Sequence, residues 1–346
     1  MKKLTLLLIY ALSTPLHASI EQVKTAFEKG NLPLAKSLLS QQNDNNDQKH
    51  LYLALIALGS DKLDEAEKHI EKAIELNATD ANVQFSYAEI MAKQAESASI
   101  FSLSGYIKKV KKAFTAAVKL EPKNSKYRRA LIQFHINAPS MLGGDIYEAL
   151  KHAQALKAVD TLSGTSALIQ VYGKMGNDNK FDNELKTAKL SFANEPELFY
   201  QLGLYYQEQE SFSEALTYFR NAANMAVATD KQRNAKYSAI FQIGRTSLMI
   251  KSNFDEGKKA MAQYLNEAVI SSSMPSKDWA KFRLANIVEA QGKESDAISI
   301  YKELAQRTVD KDLQKQAKCS GQLILATDLY SSQYFFSDSF GVSPPL

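Results

Sequence analysis

Side chains able to do chemistry are few and scattered in this 346-residue sequence. The histidines are His17, His50, His69, His135 and His152. A metal site needs donors at spacings that converge, and neither HExxH nor CxxC occurs. His135 sits between Phe134 and Ile136, which suits a packed histidine better than a catalyst. Cys319 is the single cysteine, so neither an intramolecular disulfide nor a Cys-rich metal site can form. Lys315 and Lys318 beside it can lower a thiol's pKa, yet a partly buried inert thiol is the better reading. No GxSxG and no complete phosphate loop is present. Gly143-Gly144-Asp145 can cradle an anion at a helix N-terminus, or simply turn the chain before a helix that Asp145 caps. No Lys-Ser/Thr follows, so the turn is preferred. The sequence therefore predicts no catalytic residue, no metal and no cofactor.

One charge cluster stands out. Residues 108–129 hold Lys108, Lys109, Lys111, Lys112, Lys119, Lys123, Lys126, Arg128 and Arg129 against Glu121 alone. This is either a solvated helix face or a patch for an anionic partner such as an acidic protein segment, lipid head groups or polysaccharide. The whole chain is balanced, with 42 Lys and Arg against 38 Asp and Glu, which argues against a dedicated nucleic-acid binder.

The elements that must carry these residues are helices. The chain is 45% hydrophobic and 23% charged, enough to bury a core. Gly 14 and Pro 8 fall well below usual usage, which disfavours all-β folds and glycine-rich phosphate loops. Met1-Lys2-Lys3, the apolar run 4–12 and the segment 13–18 ending in Ala18 follow the order of a secretory signal peptide. Nine apolar residues of helix reach only about 13 Å, short of the ~30 Å hydrocarbon core. The expectation is cleavage after Ala18, a mature chain starting near Ser19, no transmembrane segment, and a bacterial periplasmic location.

The remainder repeats. Phe199, Leu202, Gly203, Tyr206, Ala215, Phe219 and Ala222 give the spacing aromatic-x2-Leu-Gly-x2-Tyr-x8-Ala-x3-Phe-x2-Ala. Copies follow at Leu53–Ala73 (with Asp64 read as a helix cap), at Thr165–Pro196, at Tyr237–Tyr264 and at Leu284–Leu304, and a pair opens at Ile20–Leu39 with Gly30 in its turn. Two copies are interrupted, one by residues 95–105 and one by 138–144. The pattern resembles the tetratricopeptide repeat (TPR), a helix–turn–helix unit of 34 residues, and more narrowly the exported bacterial TPR proteins. That resemblance implies an all-α α-solenoid of stacked helix pairs over 19–306, a capping helix over 307–330 and an extended tail over 331–346. Small residues such as Gly203 and Ala215 would let the two helices of a pair touch.

In such repeats the first helix lines the inner surface, and its fifth residue points inward. The resemblance then puts Leu51, Phe85, Tyr127, Ile169, Tyr200, Phe241 and Phe282 in a concave groove, with Phe134 and Arg245 one or two turns on. Aromatics and Arg are typical anchors of binding surfaces; the same rings can equally pack between repeats. The expected function is a non-catalytic scaffold that binds a partner protein or peptide in this groove, in envelope assembly or export. The alternative is a small-ligand carrier whose two insertions close a pocket. An anionic envelope component is a further partner through Lys108, Lys109, Lys111, Lys112, Arg128 and Arg129.

Overall fold

A computed structural model of the chain describes residues 19–326, apart from 61, 272, 273 and 309, and leaves out the side chains of 322–326. The signal segment expected over 1–18 and the tail over 331–346 lie outside the described residues. Among those described there are seventeen α-helices, one 3-10 turn and no strand.

The helices run in antiparallel pairs. They are α1 (Ile20–Glu28) and α2 (Leu32–Ser40), α3 (Asp47–Leu58) and α4 (Leu63–Leu76), α5 (Ala81–Ser97) and α6 (Ile100–Leu120), then α7 (Ser125–Asn137) and α8 (Ile146–Lys157). There follow α9 (Thr161–Lys174) and α10 (Asp178–Ser191), α11 (Pro196–Glu208) and α12 (Phe212–Asn224), α13 (Asp230–Met249) and α14 (Phe254–Glu267), α15 (Lys277–Ala290) and α16 (Glu294–Arg307), and finally α17 (Lys311–Ala326). Each helix packs on its pair mate, and consecutive odd-numbered helices also touch along the stack, α5 and α7 meeting through the Phe85 and Tyr127 rings. This is a TPR-like α-solenoid in which each unit buries its neighbour's face. The odd helices form one continuous row, called the first-helix row below. Among the described residues no helix is long and apolar enough to cross a membrane.

Small residues set the spacing within a pair. A Cβ on Gly203 would meet the Phe219 ring at 2.4 Å, and one on Gly244 would meet Met261 at 2.5 Å. Ala215 is fully buried against the same interface. Caps set the starts. Asn124 accepts from the Lys126 and Tyr127 amides, Asp145 from those of Tyr147 and Glu148, and Asp160 from that of Ser163. These side chains satisfy donors that a helix start leaves without partners. Asp64, expected as a cap, lies instead in the first turn of α4; the cap position is Lys62, which makes no side-chain cap bond.

The two interruptions have different forms. Residues 95–105 are mostly helical: they lengthen the end of α5 and the start of α6. Residues 138–144 form the 3-10 turn Ser140–Leu142 and the glycine pair. Gly143 takes a left-handed φ of 99°, which a glycine allows at no steric cost. Gly144 is needed for room, since a Cβ there would sit 1.8 Å from the Ala138 carbonyl oxygen. The Asp145 carboxylate occupies the N-terminus of α8, and Lys111 donates to the Gly143 carbonyl at 2.9 Å. The segment is built as a turn.

Candidate functional site

Most of the expected groove rings are core residues. Phe85, Tyr127, Phe134, Phe241 and Phe282 are all buried, none more than 9% exposed. Phe85 stacks on Tyr127 and leans on Phe114; Phe241 meets Tyr264 edge-on; Phe282 packs on Tyr301; Phe134 meets His135 edge-on. In these places the rings pack neighbouring helices together and offer a ligand almost no surface. For α7 the cause is a shift in register. The Asn124 cap delays the helix to Ser125, so its fifth and ninth residues are Arg129 and Gln133, while Tyr127 turns into the core. Tyr200 and Arg245 stay half-buried on the first-helix row.

A mostly polar set gathers on that row: Arg129 and Gln133 of α7, Ser163, Ser166, Ala167 and Gln170 of α9, and Glu197 and Gln201 of α11 line one shallow cleft, with Ser163, Ser166 and Glu197 buried in it. The Gln133 amide donates to the Gln170 carbonyl oxygen at 2.5 Å. Glu197, 7% exposed, is paired with Lys231 of α13 at 2.8 Å and with Arg129 at 3.6 Å. One carboxylate thereby ties α7, α11 and α13 together. Asp160, at the start of α9, has its carboxyl below the usual range: burial opposes this, and hydrogen bonds from Ser163 with the charge of Lys231 outweigh it.

The row continues onto α13. Burial pushes the Tyr200 phenol up, opposed by hydrogen bonds with Gln242 and Ser238 and by the charges of Arg245 and Arg129. Gln242 is 8% exposed, and its Oε1 accepts no hydrogen bond from the protein. Buried amide oxygens are rarely left so. One turn further, Gln207 of α11 donates to Thr246 of α13 at 2.9 Å.

Four glutamines therefore recur on four successive first helices: Gln133, Gln170, Gln201 and Gln242. The aromatic count missed them. A signal was present, because each stands inside an apolar run: Leu-Ile-Gln-Phe at 131–134, Leu-Ile-Gln-Val at 168–171, Tyr-Gln-Leu at 200–202 and Phe-Gln-Ile at 241–243. A carboxamide placed repeatedly where packing favours carbon needs a reason other than packing.

The basic patch does not act as one unit. Lys109 pairs with Glu67 and Glu71 of α4 at 3.2 and 3.1 Å. Lys111 serves the Gly143 carbonyl, and Arg128 lies 3.2 Å from the His152 ring nitrogen and donates to the Pro122 carbonyl. Lys126 stands 4.3 Å over the Phe85 ring. Arg129 belongs to the cleft. Lys108 and Lys112 are exposed on α6.

Other reactive groups stand apart from the cleft. The Nδ1 atoms of His50 and His69 are 3.1 Å apart, and His50 Nε2 lies 2.9 Å from the Asp44 carbonyl oxygen. His135 is buried with its Nδ1 unpartnered, and its ring stacks at 6.2 Å on that of His152. Cys319 is a half-buried free thiol on α17. Among the described residues no three His, Cys, Asp or Glu side chains gather as a metal site would require.

No protein-family model matches the sequence, and no curated protein matches it. Solved structures resemble the chain path. Yeast Tom70 aligns with 87% of this chain at 20% identity and a TM-score of 0.48, and the chain spans 59% of that protein's length. A thermophilic TPR protein of Thermus thermophilus aligns with 56% of this chain and 99% of its own at 19% identity and a TM-score of 0.38. The human IFIT1 dimer with PPP-AAAA aligns with 87% of this chain and 71% of its own at 17% identity and a TM-score of 0.43. The architecture of stacked pairs rests on this chain's own helix packing.

Proposed function

We propose that the chain is a non-catalytic interaction scaffold that holds an extended polypeptide segment across its first-helix row. The observation that carries this reading is the run of carboxamides Gln133, Gln170 and Gln201 of α7, α9 and α11 along one cleft, with the buried Gln242 of α13 beyond it beside Tyr200. A carboxamide offers both a donor and an acceptor, and so does each residue of a peptide backbone. Packed helices stand roughly 8–10 Å apart, and an extended chain rises about 3.3 Å per residue. A peptide crossing the row therefore meets a new glutamine about every third residue. Arg129, Lys231 and Arg245 flank this run and would select acidic side chains of the bound segment, while the buried Glu197 holds Arg129 and Lys231 in place. The insertions at 95–105 and 138–144 contribute none of the residues lining the cleft, which favours the peptide reading over an enclosed small-ligand pocket.

On this reading the scaffold works in the periplasm after removal of residues 1–18, in assembly or export at the cell envelope. Its support is the order of charge, apolar run and small residue over Met1–Ala18. N-terminal sequencing of exported protein checks it; an intact Met1 would reject it.

The binding test uses the full chain against a displayed library of unstructured peptides. Selected peptides should bind the variant Gln133→Ala/Gln170→Ala/Gln201→Ala at least tenfold more weakly, with an unchanged melting temperature. N-methylation of the peptide backbone should weaken binding to the parent protein comparably. If no peptide is selected, or the selected ones bind the variant equally well, the reading fails.

A further inference from the structure

Helix α6 runs 21 residues, Ile100–Leu120, and contains five lysines and no acidic residue. Its inward side is fixed. Val110, Ala113, Phe114, Ala117 and Val118 are buried, Tyr106 and Lys109 are bound to Glu67, and Lys111 is bound to the glycine turn. Its outward side is a narrow stripe. At 3.6 residues per turn, Phe101, Gly105, Lys108, Lys112, Thr115 and Lys119 share one line, and all are exposed. At the head of the stripe Ile100 is 88% and Phe101 97% exposed. Among the described residues no ion pair engages Lys108, Lys112 or Lys119. Four of the five acids of the neighbouring α4 are already engaged, Glu65, Glu67, Glu71 and Glu75 being paired with Lys62, Lys109, Lys109 and Lys72, and the fifth, Asp64, lies in its first turn within electrostatic reach of Tyr106.

We propose that this outer stripe of α6 docks on an anionic phospholipid surface. Ile100 and Phe101 enter the boundary between headgroups and acyl chains, and Lys108, Lys112 and Lys119 meet phosphates along the same line. Two large apolar side chains almost wholly in water have no role in the fold, and at a bilayer surface they are buried. The three lysines supply the complementary charge. An acidic polypeptide would match the lysines and leave the exposed Phe101 unexplained, so the lipid surface is favoured. The surface lies on the outer, even-numbered row and leaves the first-helix row free for its segment.

The test is co-sedimentation of the full chain with vesicles of phosphatidylglycerol and phosphatidylcholine at low salt. Binding should rise with the phosphatidylglycerol fraction and fall steeply with added salt. Each of Lys108→Gln, Lys112→Gln and Lys119→Gln should weaken it about fivefold, the effect of one lysine at such a surface. Ile100→Ser/Phe101→Ser should weaken it severalfold at fixed salt. All these positions are exposed, so thermal melting should stay unchanged and separates loss of docking from loss of fold. Binding to pure phosphatidylcholine as strong as to the anionic mixture overturns the proposal. So does equal vesicle binding by the triple lysine variant. Soluble polyglutamate held by the stripe while vesicles are not would assign it to an acidic protein and overturn the lipid reading.

Discussion

The ring of Tyr127 stacks on that of Phe85, with centroids 4.7 Å apart and planes 27° from parallel. One ring comes from α7 and the other from α5, so the stack joins two units of the solenoid. Both are buried, and Lys126 covers the Phe85 ring from outside. Tyr127→Ala should thus act on stability. Deleting a buried ring costs about 3–5 kcal/mol. Urea unfolding should show that loss, while the folded fraction captures selected peptides normally. Weakened capture with unchanged unfolding would return Tyr127 to the groove.

Glu67 accepts hydrogen bonds from Gln94 of α5 at 2.7 Å and from Tyr106 and Lys109 of α6 at 3.2 Å. A single carboxylate of α4 therefore holds the long α5–α6 hairpin. Glu67→Ala should cost about 1–3 kcal/mol by leaving buried donors unmatched. Hydrogen exchange should show the extra opening in α5 and α6, with α13–α16 unaffected, because stacked repeats couple mainly to their neighbours.

Two glycines should respond with opposite signs. Gly144→Ala puts a Cβ 1.8 Å from the Ala138 carbonyl oxygen, an overpacking expected to cost roughly 1–3 kcal/mol or more. Gly105 lies inside α6, and a Cβ added there would meet nothing within 4 Å. Gly105→Ala should stabilise by about 0.4–1 kcal/mol, chiefly by narrowing the unfolded ensemble. Paired thermal melts of the two variants check both signs.

Acid should weaken the fold through its buried histidines. His152 is pushed down to about 4, first by burial, then by the charges of Arg128 and His135. Burial also lowers His135, helped by Lys111, and His69, helped by His50. An unfolded histidine titrates near 6.5. Between that value and the lower folded one the unfolded chain binds more protons, so stability falls as pH falls. The contribution is complete above about pH 6.5 and, for His152, is lost as pH drops to about 4. Melting temperature should decline over this window, and His152→Gln should flatten the slope. An unchanged slope would show that His152 is protonated equally in both states.

The sequence by itself determined the helix pairs, their order and their contact points. Apolar spacing is a local property that chain geometry converts directly into a buried stripe, and small residues such as Gly203 and Ala215 mark where two backbones approach. The cap Asp145 and the turn at Gly143 act within a few residues and are equally legible, whereas Asp64, read as a cap, falls inside the first turn of α4. Tertiary structure alone decided which side chains are left at the surface of the first-helix row. The Asn124 cap shifts α7 by two residues from the counted register, which buries Tyr127 and presents Arg129 and Gln133. Lys109 looks like one member of a basic run until α4 brings Glu67 and Glu71 against it from some forty positions away. Gln133, Gln170, Gln201 and Gln242 blur the apolar periodicity that was being counted, so they read as noise one helix at a time. Only stacking, which brings Gln133, Gln170 and Gln201 into one cleft from positions 37 and 31 residues apart in sequence, sets them side by side. A stripe's existence is written within one helix, whereas the direction it faces depends on the offset and tilt of its neighbours.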